Sequence, residues 1–251
     1  MKKKCYKTNC LEKVIFRLDF EKVELGSLEE FNKKELSKEF ILQEPKKGKE
    51  GSFRFDVDSG EVTKLMNEFL AYTFENKQKT KRFEVSEKYA FIEYDKYSSS
   101  EELFVDLKTL VEKFTNTFEV KTINRLGLRF INEIKLSKEK NPLDWKNYID
   151  KNLIGLLDFS MKGKEKISRA MSQLVFKKEK GELMFNFGIF NKEYPNEIAT
   201  KEFILDFDCY STLPFEISEE GVLDRAKIYH NHIESLFEQS ITDKFRKFLN
   251  K

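Results

Sequence analysis

Histidine, cysteine and an excess of one charge are what this chain lacks. Its 251 residues hold two histidines and three cysteines. His230 and His232 sit on one helical stretch, about 200° apart around it, so they cannot ligate one ion together. A zinc site or a histidine-based triad is therefore hard to assemble. Cys5, Cys10 and Cys209 are odd in number and lack metal-type spacing, which points to reduced thiols and away from a disulfide framework. The 46 basic and 44 acidic residues leave a net charge of +2. Such a balance makes no long-range field to gather nucleic acid, a membrane surface or acidic substrates. The 10 glycines are scattered, with no GxGxxG or GxxxxGK loop to cradle a phosphate. No run of about 18 apolar residues offers a transmembrane span. The basic opening MKKKCYKTNC is not followed by the apolar stretch of a signal peptide. The chain reads as cytoplasmic and soluble.

What is present is alternation. In NRLGLRFINEIKL, Leu126, Leu128, Phe130, Ile134 and Leu136 face one way with Asn132 among them, and Arg125, Gly127, Arg129, Ile131, Glu133 and Lys135 face the other. Period-two patterning of this length predicts a strand with one buried face. KVIFRLDFEKVEL repeats it, with Val14, Phe16, Leu18 and Phe20 inside and Arg17, Asp19 and Glu21 outside. A shift of 112 residues lays Arg17 on Arg129, and a shift of 113 lays FIEYDKYS (from Phe91) on ILDFDCYS (from Ile204). Two segments agreeing to within one residue point to an internal duplication.

Both halves then read alike. A strand (about 12–24, about 121–136) leads to a short helix, capped by Ser27 with Glu30 in the first half and by Asn141 with Pro142 in the second. Phe53, Phe55 and Val57 precede a turn at Ser59–Gly60, and LVFKKEKGELMFNF turns near Lys180–Gly181. Ser99 and Glu102 cap a helix whose apolar positions are Leu103, Leu107, Leu110, Val111 and Phe114. A last helix over about 220–249 carries Leu223, Ala226, Ile233, Phe237, Ile241 and Phe248 on one stripe. The tracts at 43–50, 77–82 and 161–166 read as basic loops or hairpin tips. The expected class is α+β: two strand–helix–strands–helix repeats, residues 1–118 and 119–251, in one compact unit. Their strands join a large curved antiparallel sheet with helices on one face, broadly like the saddle of the TATA-binding-protein class.

RLGLRFINEI (125–134) closely resembles the arginine–aliphatic–Gly–Leu–Arg–aromatic–Ile–Asn signature of a sporadically distributed family of roughly 250-residue bacterial and archaeal proteins. LEKVIFRLDF (11–20) is similar to that family's opening strand. HNHIESLFEQSITDKFRKFL (230–249) resembles its closing helix, through His230, Ile233, Phe237, Ser240, Ile241, Thr242 and Asp243. Two departures stand out: no proline near Cys10, and YSSSEELF where the family carries a tryptophan. The family has no settled activity. Its patchy distribution implies variable genomic regions, where defence and toxin–immunity genes accumulate.

Candidate sites follow from the outward rows. Arg17, Arg125 and Arg129 face the same way as Glu93, Asp95, Asp206 and Asp208, which predicts cross-strand ion pairs. The sharper alternative is an anion site, with Gly127 letting a ligand approach the backbone between Arg125 and Arg129. Asp206 and Asp208 on one strand face are the weak candidates for a metal. Asn132 in the buried row needs hydrogen-bond partners, and Cys209 reads as a small hydrophobe. The sequence therefore supports a non-enzymatic binding protein with no cofactor and no membrane, and the resemblance implies that it is a protein-partner component of a prokaryotic defence or toxin–immunity type module. The alternative is a nucleic-acid or nucleotide sensor using the arginines. A metal-dependent phosphodiesterase on Asp206 and Asp208 is the third reading.

Overall fold

The alternating segments are strands, and burial follows the alternation. The structure is a computed structural model; it describes residues 6–23, 40–42, 46–55, 62–118, 120–136, 141–160, 167–211 and 213–250. Strand β1 (Leu11–Phe20) buries Val14, Phe16, Leu18 and Phe20, with Arg17 and Asp19 partly exposed between them. Then come β2 (Phe40–Leu42), β3 (Lys46–Phe55), β4 (Val62–Asn76), β5 (Lys81–Ser86), β6 (Tyr89–Tyr94) and helix α1 (Ser100–Thr117). Strand β7 (Thr122–Lys135) and helix α2 (Gly155–Ser160) precede β8 (Ala170–Lys178), β9 (Gly181–Ile189), β10 (Glu202–Tyr210) and β11 (Phe215–Glu216). Helices α3 (Glu219–Ser240) and α4 (Asp243–Leu249) close the chain.

The strands form one sheet in the order β2-β4-β5-β6-β1-β7-β10-β9-β8, with β3 paired to β4 and β11 to β7. The pairings β3–β4, β4–β5, β5–β6, β7–β10, β10–β9 and β9–β8 are antiparallel. The architecture is α+β with a large antiparallel sheet. On either side of β1 and β7 the order lists first the strand that ends a hairpin series (β6 or β10), then the hairpin strands β5–β4 or β9–β8. By compactness the chain falls into two units, neither of them continuous. One comprises Met1–Ile15, Gly127–Leu213 and Asp224–Lys251; the other comprises Phe16–Leu126 and Pro214–Leu223. The division runs through β1 and β7.

In the unit holding α1, the Ser99 hydroxyl accepts a hydrogen bond from the Glu102 amide at 3.2 Å and starts the helix. Leu103, Leu107, Leu110, Val111 and Phe114 are buried as their spacing predicts, and Phe114 packs on Phe20 with ring centroids 4.8 Å apart. Lys81 ties β5 to this helix through Asp106 at 2.6 Å and Glu102 at 2.8 Å. In the unit holding α4, Leu128, Phe130, Phe185, Phe187, Leu205, Phe207 and Cys209 make the sheet side of the core, and Ala226, Tyr229 and Ile233 the helix side. The Phe185 and Phe207 rings stack at 4.6 Å.

Four expectations are corrected here. The segment after Asn141 is a turn, not a helix: the Asn141 carboxamide accepts from the Leu143 amide at 3.0 Å, and the buried Trp145 indole donates back to Pro142 O at 2.9 Å. This knot of side-chain and backbone bonds competes with helix propagation. Lys46–Glu50 belongs to β3, not to a loop, because its backbone pairs along β4 from Ala71 to Asn67. The last helix is broken between Ser240 and Asp243, where Ser240 O accepts from the Asp150 amide at 2.9 Å, Thr242 N donates to Tyr148 O at 3.0 Å, and Ile149 bridges Ile241. Thr242 then recaps α4 on the Phe245 amide at 3.3 Å, which turns Phe245 inward and leaves Phe248 exposed. The β8–β9 loop is Glu179–Lys180, with Lys180 at φ +63°, one residue earlier than expected. Gly181 is a strand residue, and a Cβ there would lie 2.1 Å from Tyr210 O. Its small size serves close approach, not the turn. The predicted Ser27–Glu30 cap, the Ser59–Gly60 turn and the 161–166 tract lie outside the described residues.

Truncating a fully buried side chain and deleting a cap test the α1 packing separately. Leu107→Ala should lower the unfolding free energy by about 2–5 kcal/mol, and Ser99→Ala by about 1 kcal/mol. Urea denaturation followed by circular dichroism measures both, and equal losses would contradict this packing.

Candidate functional site

Strand β7 supplies the arginines, and the register with its neighbours decides what they meet. Antiparallel pairing sets Asp208 opposite Arg129 and Asp206 opposite Ile131. Arg129 leans along the strand and takes Asp206 in a fork, Nε to Oδ1 at 2.8 Å and Nη2 to Oδ2 at 2.7 Å. Two parallel charge-assisted bonds fix the guanidinium plane. Asp206 is buried, with 8% of its side chain exposed against 40% for Arg129, so one edge of the arginine is held inside and the rest reaches the surface.

The bonding continues outward. Asn186 Nδ2 donates to Asp206 Oδ2 at 3.2 Å, and Gln173 Nε2 donates to Asn186 Oδ1 at 2.7 Å. Gln173 and Asn186 are direct cross-strand partners, as are Asn186 and Asp206. A ladder Gln173–Asn186–Asp206–Arg129 thus crosses β8, β9, β10 and β7 on the face opposite the buried row. It forms the floor of a shallow open groove of about 510 Å³, walled by Ile131, Ile204, Met171, Ser172 and Phe190. At the rim, the Arg169 guanidinium lies 4.5 Å from the Phe190 ring centre and 4.2 Å from that of Tyr194, both rings being exposed. Arg169 Nε also donates to Phe190 O at 2.8 Å. Asn191, at φ +53°, holds this loop by donating to Ser168 O and Asn196 O, each at 2.8 Å.

The remaining predicted residues fall as follows. Arg17 and Arg125 converge on Asp19, Arg17 with contacts at 2.5 and 2.9 Å and Arg125 at 3.7 Å. Arg17 also stacks on Tyr89, 4.4 Å from the ring centre. Gly127 is buried opposite Tyr210. Glu93 pairs with Arg82 across β5–β6 at 3.2 Å, while Asp95 lies past the end of β6. Glu93 is thus held by an arginine from the neighbouring strand, as Asp206 is by Arg129. Asp206 and Asp208 do share a face of β10, and Asp206 is engaged by Arg129 and Asn186. Among the described residues no three of His, Cys, Asp and Glu lie close enough to hold a metal ion. Asn132 finds its partners as its burial demands, donating to Leu205 O at 3.2 Å and accepting from the Cys10 thiol at 3.6 Å. Burial pushes the Cys10 thiol up to about 12, and burial with the Asp208 charge does the same to Cys209. Neither is a thiolate near neutral pH.

Gln173, Asn186, Phe190 and Arg169 were not among the residues singled out from the sequence. The signal for the first two is the hairpin itself. Closing the loop at Lys178↔Gly181 places Gln173 opposite Asn186 and lines both up with the outward row of β10. No protein-family model matches the chain, and no curated protein matches it.

Two measurements probe this face. Arg129→Ala leaves the buried Asp206 carboxylate with only an amide donor and should lower stability by about 1–3 kcal/mol, and Arg129→Lys should recover only part of it because an ammonium cannot fork. Near the groove, Glu133 is buried, which favours its neutral form, but the ammonium groups of Lys135 at 2.7 Å and Lys192 at 2.8 Å outweigh burial and hold its pKa below the usual carboxylate range. A depressed folded-state pKa contributes stability above the unfolded value of roughly 4.3, lost as pH falls through the folded one. Urea midpoints between pH 7 and pH 3 should therefore fall less steeply for Glu133→Gln than for the wild type. An identical slope would show that the pair contributes nothing.

Proposed function

We propose that this chain is a non-enzymatic binding protein that recognises a protein partner across the open groove of β7–β10. The observation that carries the reading is the closed ladder on the groove floor. Each rung from Gln173 to Arg129 bonds its neighbour, and the walls are apolar apart from Ser172, with Arg169 stacked on Phe190 and Tyr194 at the rim. A floor that satisfies itself presents a fixed pattern of charge and shape, which suits recognition. Chemistry on a substrate needs polar groups held in reserve. The setting we propose is a cytoplasmic defence or toxin–immunity type module of the family that RLGLRFINEI resembles. No described helix is long and apolar enough to cross a bilayer. The duplication and the saddle-like topology belong to the same proposal, and the ordering of β6, β5 and β4 on one side and β10, β9 and β8 on the other supports them.

One observation favours the second reading, a nucleic-acid or nucleotide sensor. Arg169 with the exposed rings of Phe190 and Tyr194 beside Arg129 has the stacking and charge that single strands use. Pull-downs from native lysate, with and without nuclease, separate the two. One dominant protein should be recovered in both conditions and should fall at least tenfold with Phe190→Asp, whose thermal midpoint should match the wild type. Recovery that disappears with nuclease would transfer the site to the second reading. A partner indifferent to Phe190→Asp would remove the groove from either.

A further inference from the structure

Strand β8 ends the strand order and pairs with β9 alone among the described strands. Natural edge strands are usually blunted by a proline, an inward charge, a bulge or short length. β8 has none of the first two and runs for 9 residues, and Ala170–Phe176 carries no charge. Its exposed apolar side chains lie on both faces: Met171 at 37% and Val175 at 52% on the groove side with Gln173, and Leu174 at 44% on the opposite side. A partner docking flat on one face would cover only one of these rows. Bare apolar groups on both faces are what a sheet shows when its next strand is missing.

We propose that the missing strand is β8 of a second copy of this chain, added antiparallel about a two-fold axis at Val175. The occupant must be uncharged at its centre and apolar on both faces, and β8 itself has that composition. A two-fold axis normal to the sheet keeps each face on its own side and makes the contact isologous and closed. In this register Val175 meets its own mate, Leu174 faces Phe176 of the second copy, and Gln173 faces Lys177 of the second copy. Lys177 and Lys178 therefore never oppose each other, and like charges across a strand pair are avoided. The closure also removes the edge from both copies. One strand edge buries less than the roughly 1,200 Å² of a standard stable interface, so the dimer should dissociate on dilution. This inference does not rest on the groove being a partner site.

Sedimentation velocity of the full chain over about 1–300 μM tests it, since a Kd near 1 μM corresponds to a weak interface. The wild type should shift from monomer to dimer across that range. Val175→Lys, exposed and so not needed for folding, should stay monomeric with an unchanged thermal midpoint. Val175→Cys should cross-link to a dimer under mild oxidation far faster than Gln173→Cys, because only the former sits on the axis. A wild type that remains monomeric throughout, a Val175→Lys chain that still dimerises, or equal cross-linking at both positions overturns the proposal. The first of these outcomes would leave the edge to a strand from another protein.

Discussion

The molecule is organised by the alternation of β7. Its even-numbered residues from Leu126 to Ile134 are buried, and the intervening positions carry Arg125, Arg129, Ile131 and Glu133. Side-chain direction in a strand has period two, so a shift of one residue would exchange these rows and put guanidinium groups into the core. That constraint fixes the register with β10, and the register in turn decides which carboxylate each arginine can reach. Asn132 strengthens it from inside. A buried amide that must find Leu205 O and the Cys10 thiol tolerates no other pairing.

With one row committed to the core, the other has to neutralise its own charges. It does so by short forks and by cross-strand pairs: Arg129 with Asp206, Arg82 with Glu93, and Arg17 and Arg125 on Asp19. Pairs half exposed to water stabilise weakly, and their larger effect is to fix side-chain geometry. This explains how a chain with 36% charged residues presents a groove with apolar walls. The charges are spent locally, and the uncharged groups between them set the shape of the groove.

The strands were legible because alternation is a local signal. β7, the apolar row of β1 and the apolar positions of α1 fall where spacing alone puts them, although β1 ends at Phe20, short of the expected 24. The cross-strand ion pairs could be foreseen as a type, but the partner of each arginine required the register. The break before α4 was not legible, because it comes from backbone groups of Tyr148 and Asp150, some ninety residues away in sequence, capturing Thr242 N and Ser240 O. Periodicity continued straight through it. The Asn141 turn failed for the opposite reason: an Asx bond and a helix cap begin with the same residue, and the buried Trp145 chose between them. Phe190 and Arg169 stand in irregular backbone, where no periodic pattern marks a surface.

The unit holding α4 is assembled from the first, middle and last parts of the chain, and its ends are stitched together. The Thr8 amide donates to Leu249 O at 2.9 Å, and the Tyr6 hydroxyl reaches Glu238, which Arg246 also grips at 2.9 Å. Synthesis proceeds from one end, so residues 6–15 leave the ribosome long before the helices that hold them exist. Until those helices are made, the tip of β1 waits without its clasp. The unit can close only when α4 has emerged, so its first segment has to wait for its last. A chain made only as far as β10 would carry the apolar side of β7 and β10 without Ala226, Tyr229 and Ile233 to pack against it.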